Sequence, residues 1–158
     1  MDLRMKHAGF KLGRALMYVS VSLLFLSCQS SENESESLLQ YVDPFVGTTY
    51  TGHTFPGATY PLGFMQPGPQ TGNFGWDYCA GYRYEDPLIW GFSQNRLNGT
   101  GVPDLGDLLI MPFSGTPRND FRSTYKKESE KASPGYYAVT LDQNSVDVEI
   151  TTTPHVAL

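Results

Sequence analysis

The sequence predicts a mainly β, antiparallel domain carried behind a segment that takes no part in the fold. Three observations lead there. Two stretches near the end, Gly135 to Leu141 (GYYAVTL) and Val146 to Thr152 (VDVEITT), are rich in β-branched and aromatic residues. From Tyr41 onward no window sustains apolar residues at the i, i+3, i+4, i+7 spacing of an amphipathic helix. Gly, Pro and aromatic residues are frequent there instead, as expected where short strands are joined by structured loops.

The first element is not part of this domain. Arg4, Lys6, Lys11 and Arg14 form a basic start, and Ala15 to Leu26 form an apolar run too short to span a bilayer. This reads as an export signal over residues 1–28. It stops at Phe25-Leu26-Ser27-Cys28, which resembles a bacterial lipobox with Cys28 as the lipidated residue, although Phe25 stands where an aliphatic residue is usual. Gln29 to Ser37 carries no apolar side chain, so residues 29–40 are expected to be an acidic, serine-rich disordered tether. Acidic residues directly after such a cysteine resemble the surface-export signal of Bacteroidetes lipoproteins. The expected location is therefore outside the cytoplasm on an outer-membrane anchor, facing the cell surface or the periplasm.

Residues 42–106 follow, broken every few positions by Pro44, Gly47, Gly52, Pro56, Gly57, Pro61, Gly63, Pro67, Gly68, Pro69, Gly72 and Gly75. They read as structured loops with short strands, the part of a scaffold where binding groups tend to sit. Asp107 to Phe113 (DLLIMPF) is a continuous apolar run interrupted by a proline, and predicts a central strand. Ser123 to Ala132 (STYKKESEKA) is the one plausible helical piece, and equally reads as a solvated loop or the polar end of a strand. In the final pair, Val146, Val148 and Ile150 alternate with Asp147, Glu149 and Thr151, one face on a core and one in water. Asp142 to Ser145 joins the pair into a meander.

Charge removes one class of partner. The net charge is −5, and loss of the basic leader makes the remainder more acidic, with no basic cluster to meet phosphates. Nucleic acid is excluded on that ground. Of two cysteines, Cys28 is accounted for by the lipobox and Cys79 is left as a free thiol, read first as a buried small apolar residue. Gly99-Thr100-Gly101 lacks the lysine of a phosphate loop and reads as a tight turn. Asn33-Glu34-Ser35 and Asn98-Gly99-Thr100 match the N-glycosylation pattern, which a bacterial lipoprotein does not normally use.

The loop-rich segment carries motifs in a definite order. Tyr41-Val42-Asp43-Pro44-Phe45-Val46-Gly47-Thr48 is followed by Gly52-His53-Thr54-Phe55-Pro56-Gly57-Ala58, then Gly75-Trp76-Asp77-Tyr78-Cys79-Ala80-Gly81-Tyr82. Gly91-Phe92-Ser93-Gln94-Asn95-Arg96-Leu97-Asn98-Gly99-Thr100-Gly101 and Asp104-Leu105-Gly106-Asp107 complete the series. In this order and spacing, over residues 41–158, the chain resembles the N-terminal domain of glycoside hydrolase family 92, in particular its α-1,2-mannosidase-like members. The resemblance implies an antiparallel β-sandwich, incomplete here, followed in the whole protein by a much larger (α/α)6 barrel. It also implies an exo-acting, inverting, calcium-dependent α-mannosidase of glycan degradation. Members carry histidines where this chain has Gln94 and Arg96.

Inversion at a sugar carbon needs an acid and a base carboxyl about 6.5–9.5 Å apart with room for water between them. Asp43, Asp77, Glu85, Asp86, Asp104 and Asp107 are the carboxylates at hand. None is assigned as catalytic, because the resemblance places the acid, the base and most calcium ligands in the absent barrel. Asp104 and Asp107 fall short of a calcium ligand set and read as turn-stabilising. The fragment alone is expected to be inactive.

What the segment can supply is a wall of a sugar site, since pyranose C–H faces pack on aromatic rings and hydroxyls need fixed partners. Trp76 is the leading substrate-binding residue, with Asp77 and Cys79 beside it and His53 as a hydrogen-bonding group. Core plugging by Trp76 and a purely structural loop role for His53 are the competing readings. A non-catalytic carbohydrate-binding surface lipoprotein is the alternative function.

Overall fold

In the computed structural model residues 37–157 are described, apart from positions 61, 73, 74, 98–100, 107, 117 and 144. The leader, Cys28, most of the tether, Asp107 and most of the turn expected at 99–101 lie outside the described residues. Leu38–Leu158 forms one compact unit, and its first element is an exposed 3-10 turn at Leu38–Tyr41.

The fold is mainly antiparallel β. Strands β1 (Gly68–Gln70), β3 (Gly91–Ser93) and β4 (Leu109–Ile110) form one sheet in the order β1-β3-β4. A two-stranded ribbon pairs β2 (Leu88–Ile89) with β5 (Ser123–Thr124). The third sheet is the meander β6-β7-β8, formed by Lys131–Ser133, Tyr136–Leu141 and Val146–Thr151.

The meander follows its sequence pattern closely. Strands β7 and β8 pair from Tyr136↔Thr151 to Leu141↔Val146, within a residue of the expected limits. Tyr137, Val139, Leu141 and Ile150 are buried, while Asp147, Glu149 and Thr151 face out. Pro134 and Gly135, the latter at φ 77°, make the two-residue connection from β6 to β7. Proline presets the first position of a type II turn and glycine supplies the positive φ of the second.

The inward face of the meander packs on Ile89 of β2, Phe92 of β3, Tyr125 and Ala58. The Phe92 and Tyr137 rings stand 6.4 Å apart at 53°, a tilted contact between layers. Each such side chain, taken fully out of water, contributes about 1.5–3 kcal/mol.

One expectation is corrected, and one left open is decided. The run 107–113 does not form a central strand. Only Leu109–Ile110 is extended, it pairs with β3 alone, and it lies at the sheet edge. A continuous apolar run suggests burial on both faces, yet Ile110 is 49% exposed and Phe113 is also exposed. Of the three readings open for 123–132, the structure takes the strand and not the helix or the solvated loop. The segment is β5, an isolated bridge at Tyr125, a single 3-10 turn at Lys127–Ser129, and β6. Ser123 and Tyr125 point inward and Thr124 and Lys126 outward, the period of a strand.

That segment carries a buried polar network. Glu130 is 9% exposed, and its carboxylate accepts from Tyr137 Oη at 2.7 Å and from Tyr82 Oη at 3.0 and 3.1 Å. Lys127 Nζ donates to Glu130 at 3.3 Å, to Tyr82 Oη at 3.2 Å and to Tyr125 Oη. It also lies 4.5 Å from the centre of the Tyr84 ring. Tyr125 passes the chain on by donating to the Asp86 carbonyl at 3.1 Å. Burial, reinforced by the Glu130 charge, pushes the Tyr82, Tyr125 and Tyr137 hydroxyls well above the ordinary tyrosine range.

Candidate functional site

The loop between β1 and Tyr82 is closed at its neck. The Gly81 carbonyl accepts from Thr71 N–H at 2.7 Å and Gly72 N–H at 3.3 Å, and Arg83 N–H donates to Thr71 Oγ1 at 2.9 Å. At its tip Trp76–Tyr78 forms one 3-10 turn. Tyr78 braces the loop from inside, its ring within 2.4 Å of where a side chain on Gly72 would begin and its hydroxyl donating to Asp86 at 3.4 Å. Burial, then the Asp86 carboxylate, raises the Tyr78 hydroxyl above its usual range.

Trp76 is 58% exposed. A tryptophan plugging the core would be covered, so the core reading of Trp76 is set aside. His53, 23 positions earlier in the chain, meets it edge to face, with ring centres 4.3 Å apart at 73°. Such a pair is worth about 0.5–1.5 kcal/mol beyond the area it buries. His53 has φ 55°, a left-handed conformation a branched or bulky residue would resist. Both its ring nitrogens are shielded from solvent without a hydrogen-bond partner among the described residues. Such groups call for a physical explanation.

Asp77 is exposed beside Trp76, within reach of whatever approaches the ring. Cys79 lies behind it, fully buried, its thiol donating to the Trp76 carbonyl at 2.6 Å. The four named residues therefore divide. Trp76 and Asp77 form an open surface, His53 supports the ring, and Cys79 ties down the turn.

Arg96, marked in the sequence only as standing where relatives carry a histidine, is 4% exposed beneath the same turn. Its Nη1 lies 3.5 Å from the carbonyls of Tyr78 and Cys79. Burial lowers its guanidinium below the ordinary arginine range. A lone arginine in a polar stretch gives no sequence sign that it folds inward. Gln94 bonds through its backbone to the Leu108 carbonyl at 3.1 Å.

The remaining carboxylates accept backbone N–H groups. Asp43 accepts from Phe45 N–H at 2.9 Å, Glu85 from Tyr50 N–H at 3.3 Å, and Asp104 from Leu105 N–H at 2.8 Å. The Asp104 bond reaches only the next residue. Among the described residues no three His, Cys, Asp or Glu side chains converge to hold a metal. A second concavity of about 430 Å3, edged by Phe45, Thr48, Tyr84 and Lys127, opens on the outer side of the Glu130 network. The donors of Lys127 are already engaged there.

The fold and this surface define a small antiparallel β domain that presents an aromatic ring and a carboxylate on a braced loop. The pattern of the Glycosyl hydrolase family 92 N-terminal domain matches residues 41–158. The chain belongs to glycoside hydrolase family 92, through its N-terminal domain. It is 41% identical to a family GH92 α-mannosidase of Bacteroides thetaiotaomicron, with a TM-score of 0.71 over 75% of this chain and 17% of that one. The structure of that mannosidase with mannoimidazole gives a TM-score of 0.70 over the same shares of the two chains. An inverting family GH92 mannosidase of the same species is 26% identical, with a TM-score of 0.57 over 75% of this chain and 17% of its own. A protein of Arthroderma benhamiae named as an uncharacterized secreted glycosidase is 34% identical over 134 residues, 77% of this chain and 17% of that protein. The chain thus spans about a sixth of the length of these relatives.

Proposed function

We propose that this chain is the N-terminal module of an exported α-mannosidase and supplies one wall of its mannose site. The observation that carries the reading is Trp76, held open to solvent on a turn fastened from behind. A pyranose offers C–H faces that pack on such a ring and hydroxyls that pair with a carboxylate such as Asp77. His53, whose two ring nitrogens have no partner among the described residues, is the further group that a sugar hydroxyl or a neighbouring domain would satisfy.

Relatives solved as α-mannosidases, one named inverting and one bound to mannoimidazole, support hydrolysis of terminal α-linked mannose by the whole protein. In this reading the acid, the base and the calcium ligands lie in a catalytic barrel outside this chain. Export is supported by the basic-apolar leader and by the secreted relative, and anchoring through Cys28 by the sequence around it.

Two measurements on the 158-residue chain test this. With 4-nitrophenyl α-mannoside it should release no nitrophenol, and turnover would place the catalytic pair among these residues. By calorimetric titration with methyl α-mannoside it should show weak binding that Trp76→Ala abolishes. Equal binding by both proteins would remove Trp76 from the site.

A further inference from the structure

The turn that carries Trp76 is a single 3-10 turn, with no stability of its own to hold a ring in place. Its carbonyls are engaged one by one. That of Trp76 accepts from Cys79 N–H at 3.3 Å and from the Cys79 thiol at 2.6 Å. That of Tyr78 accepts from Gly81 N–H at 2.9 Å, and the Arg96 guanidinium approaches the Tyr78 and Cys79 carbonyls together at 3.5 Å. At that distance the attraction is more of charge to dipole than of a short directed bond.

The guanidinium occupies a slot shaped by two glycines. A Cβ on Gly81 would lie 2.6 Å from Arg96 Nε, and one on Gly106 would lie 2.6 Å from Arg96 Nη2. Gly81 also has φ 73°, so the position needs glycine twice over. Removing a cation from water costs several kcal/mol unless its surroundings compensate. Here they include the carbonyl ends of the turn that bears the exposed indole.

We propose that Arg96 is the positioning residue of the Trp76 platform. Its guanidinium fixes the backbone of residues 76–79, and through it the direction of the indole ring, without touching the sugar. The consequence for mannose rests on the site reading above, whereas the clamp stands on the geometry of Arg96 alone.

The test uses the full chain with Trp90→Phe, which leaves Trp76 as the single tryptophan of the two. Acrylamide quenching and anisotropy decay of Trp76 are recorded without sugar, followed by titration with methyl α-mannoside. Arg96→Met should raise the local motion and quenching of Trp76 at unchanged far-UV circular dichroism and weaken mannoside binding by about tenfold, the scale of a small misplacement of a contact group. Arg96→Lys, which keeps the charge without the fork, should recover part of both. Unchanged Trp76 quenching and anisotropy in folded Arg96→Met overturns the proposal.

Should Arg96→Met fail to fold, Gly106→Ala displaces the guanidinium while keeping its charge. A Trp76 signal unmoved in that folded variant refutes the clamp equally. Loosened Trp76 in a chain whose parent binds no mannoside upholds the clamp and overturns the sugar reading.

Discussion

Replacing Glu130 by Gln removes the charge at the centre of the buried network while keeping its shape. The carboxylate now accepts from Tyr137, Tyr82 and Lys127. An amide has one accepting oxygen, and its NH2 group would meet hydroxyls that themselves donate. At least one of the three donors loses its acceptor, and Lys127, whose side chain is 25% exposed, loses its counter-charge. A hydrogen bond to a charged group is worth about 1.5–3 kcal/mol, and breaking a buried pair from one side about 3–5 kcal/mol. Residual exposure of Lys127 places the expected loss near the lower figures, about 3 kcal/mol, a large part of the 5–15 kcal/mol typical of a domain.

The assay is urea unfolding of the full chain followed by circular dichroism, with the slope compared between proteins so that the midpoint shift reports stability. Lys127→Met in the same background should recover part of the loss, because the stranded cation is gone. A loss below about 0.5 kcal/mol, the range of ordinary surface substitutions, would show that the network does not hold the layers together.

Alkaline pH should unfold the chain steeply. Tyr82, Tyr125 and Tyr137 have folded pKa values raised above the ordinary tyrosine value of about 10. Their contribution is fully present below about pH 10 and is lost as pH rises, because the unfolded chain then sheds protons the folded chain keeps. Lys127, lowered by burial, acts oppositely just below about pH 10.5, so the fall should approach about 4 kcal/mol per pH unit only above that, read from urea midpoints against pH. A flat profile between about pH 10 and 12 would contradict the burial of these hydroxyls. Ile150→Ala should cost about 2–5 kcal/mol and exposed Ile110→Thr less than about 0.5 kcal/mol, and equal costs would contradict the edge position of β4. Gly81→Ala should destabilise through its positive φ and its contact with Arg96, measured by thermal melting. An unchanged melting temperature would show that the loop neck adapts.

The β7–β8 hairpin and the β class were legible because side chains of period two state which face is buried, with Val148 and Ile150 set against Asp147 and Glu149. Trp76, His53 and Asp77 could be named because glycine-flanked loops with an aromatic and a carboxylate are recognisable as strings, and the motif order named the family. What strings do not carry is direction. The burial of Arg96, the contact of His53 with Trp76 and the meeting of Tyr82 with Lys127 and Glu130 depend on residues far apart in sequence, and no local pattern encodes them.

The error at 107–113 and the open choice at 123–132 have the same origin. DLLIMPF reads as central because every side chain after Asp107 is apolar, but whether a second strand covers it is decided by neighbours. STYKKESEKA leaves helix, solvated loop and strand end open because charge normally stays in water, but Glu130 can be buried where hydroxyls and Lys127 are brought to meet it. Sequence by itself determined the secondary-structure class, the family and the residue types at the site. Tertiary structure decided which of them face solvent and which hold the others in place, because burial and charge pairing depend on what packs against each residue.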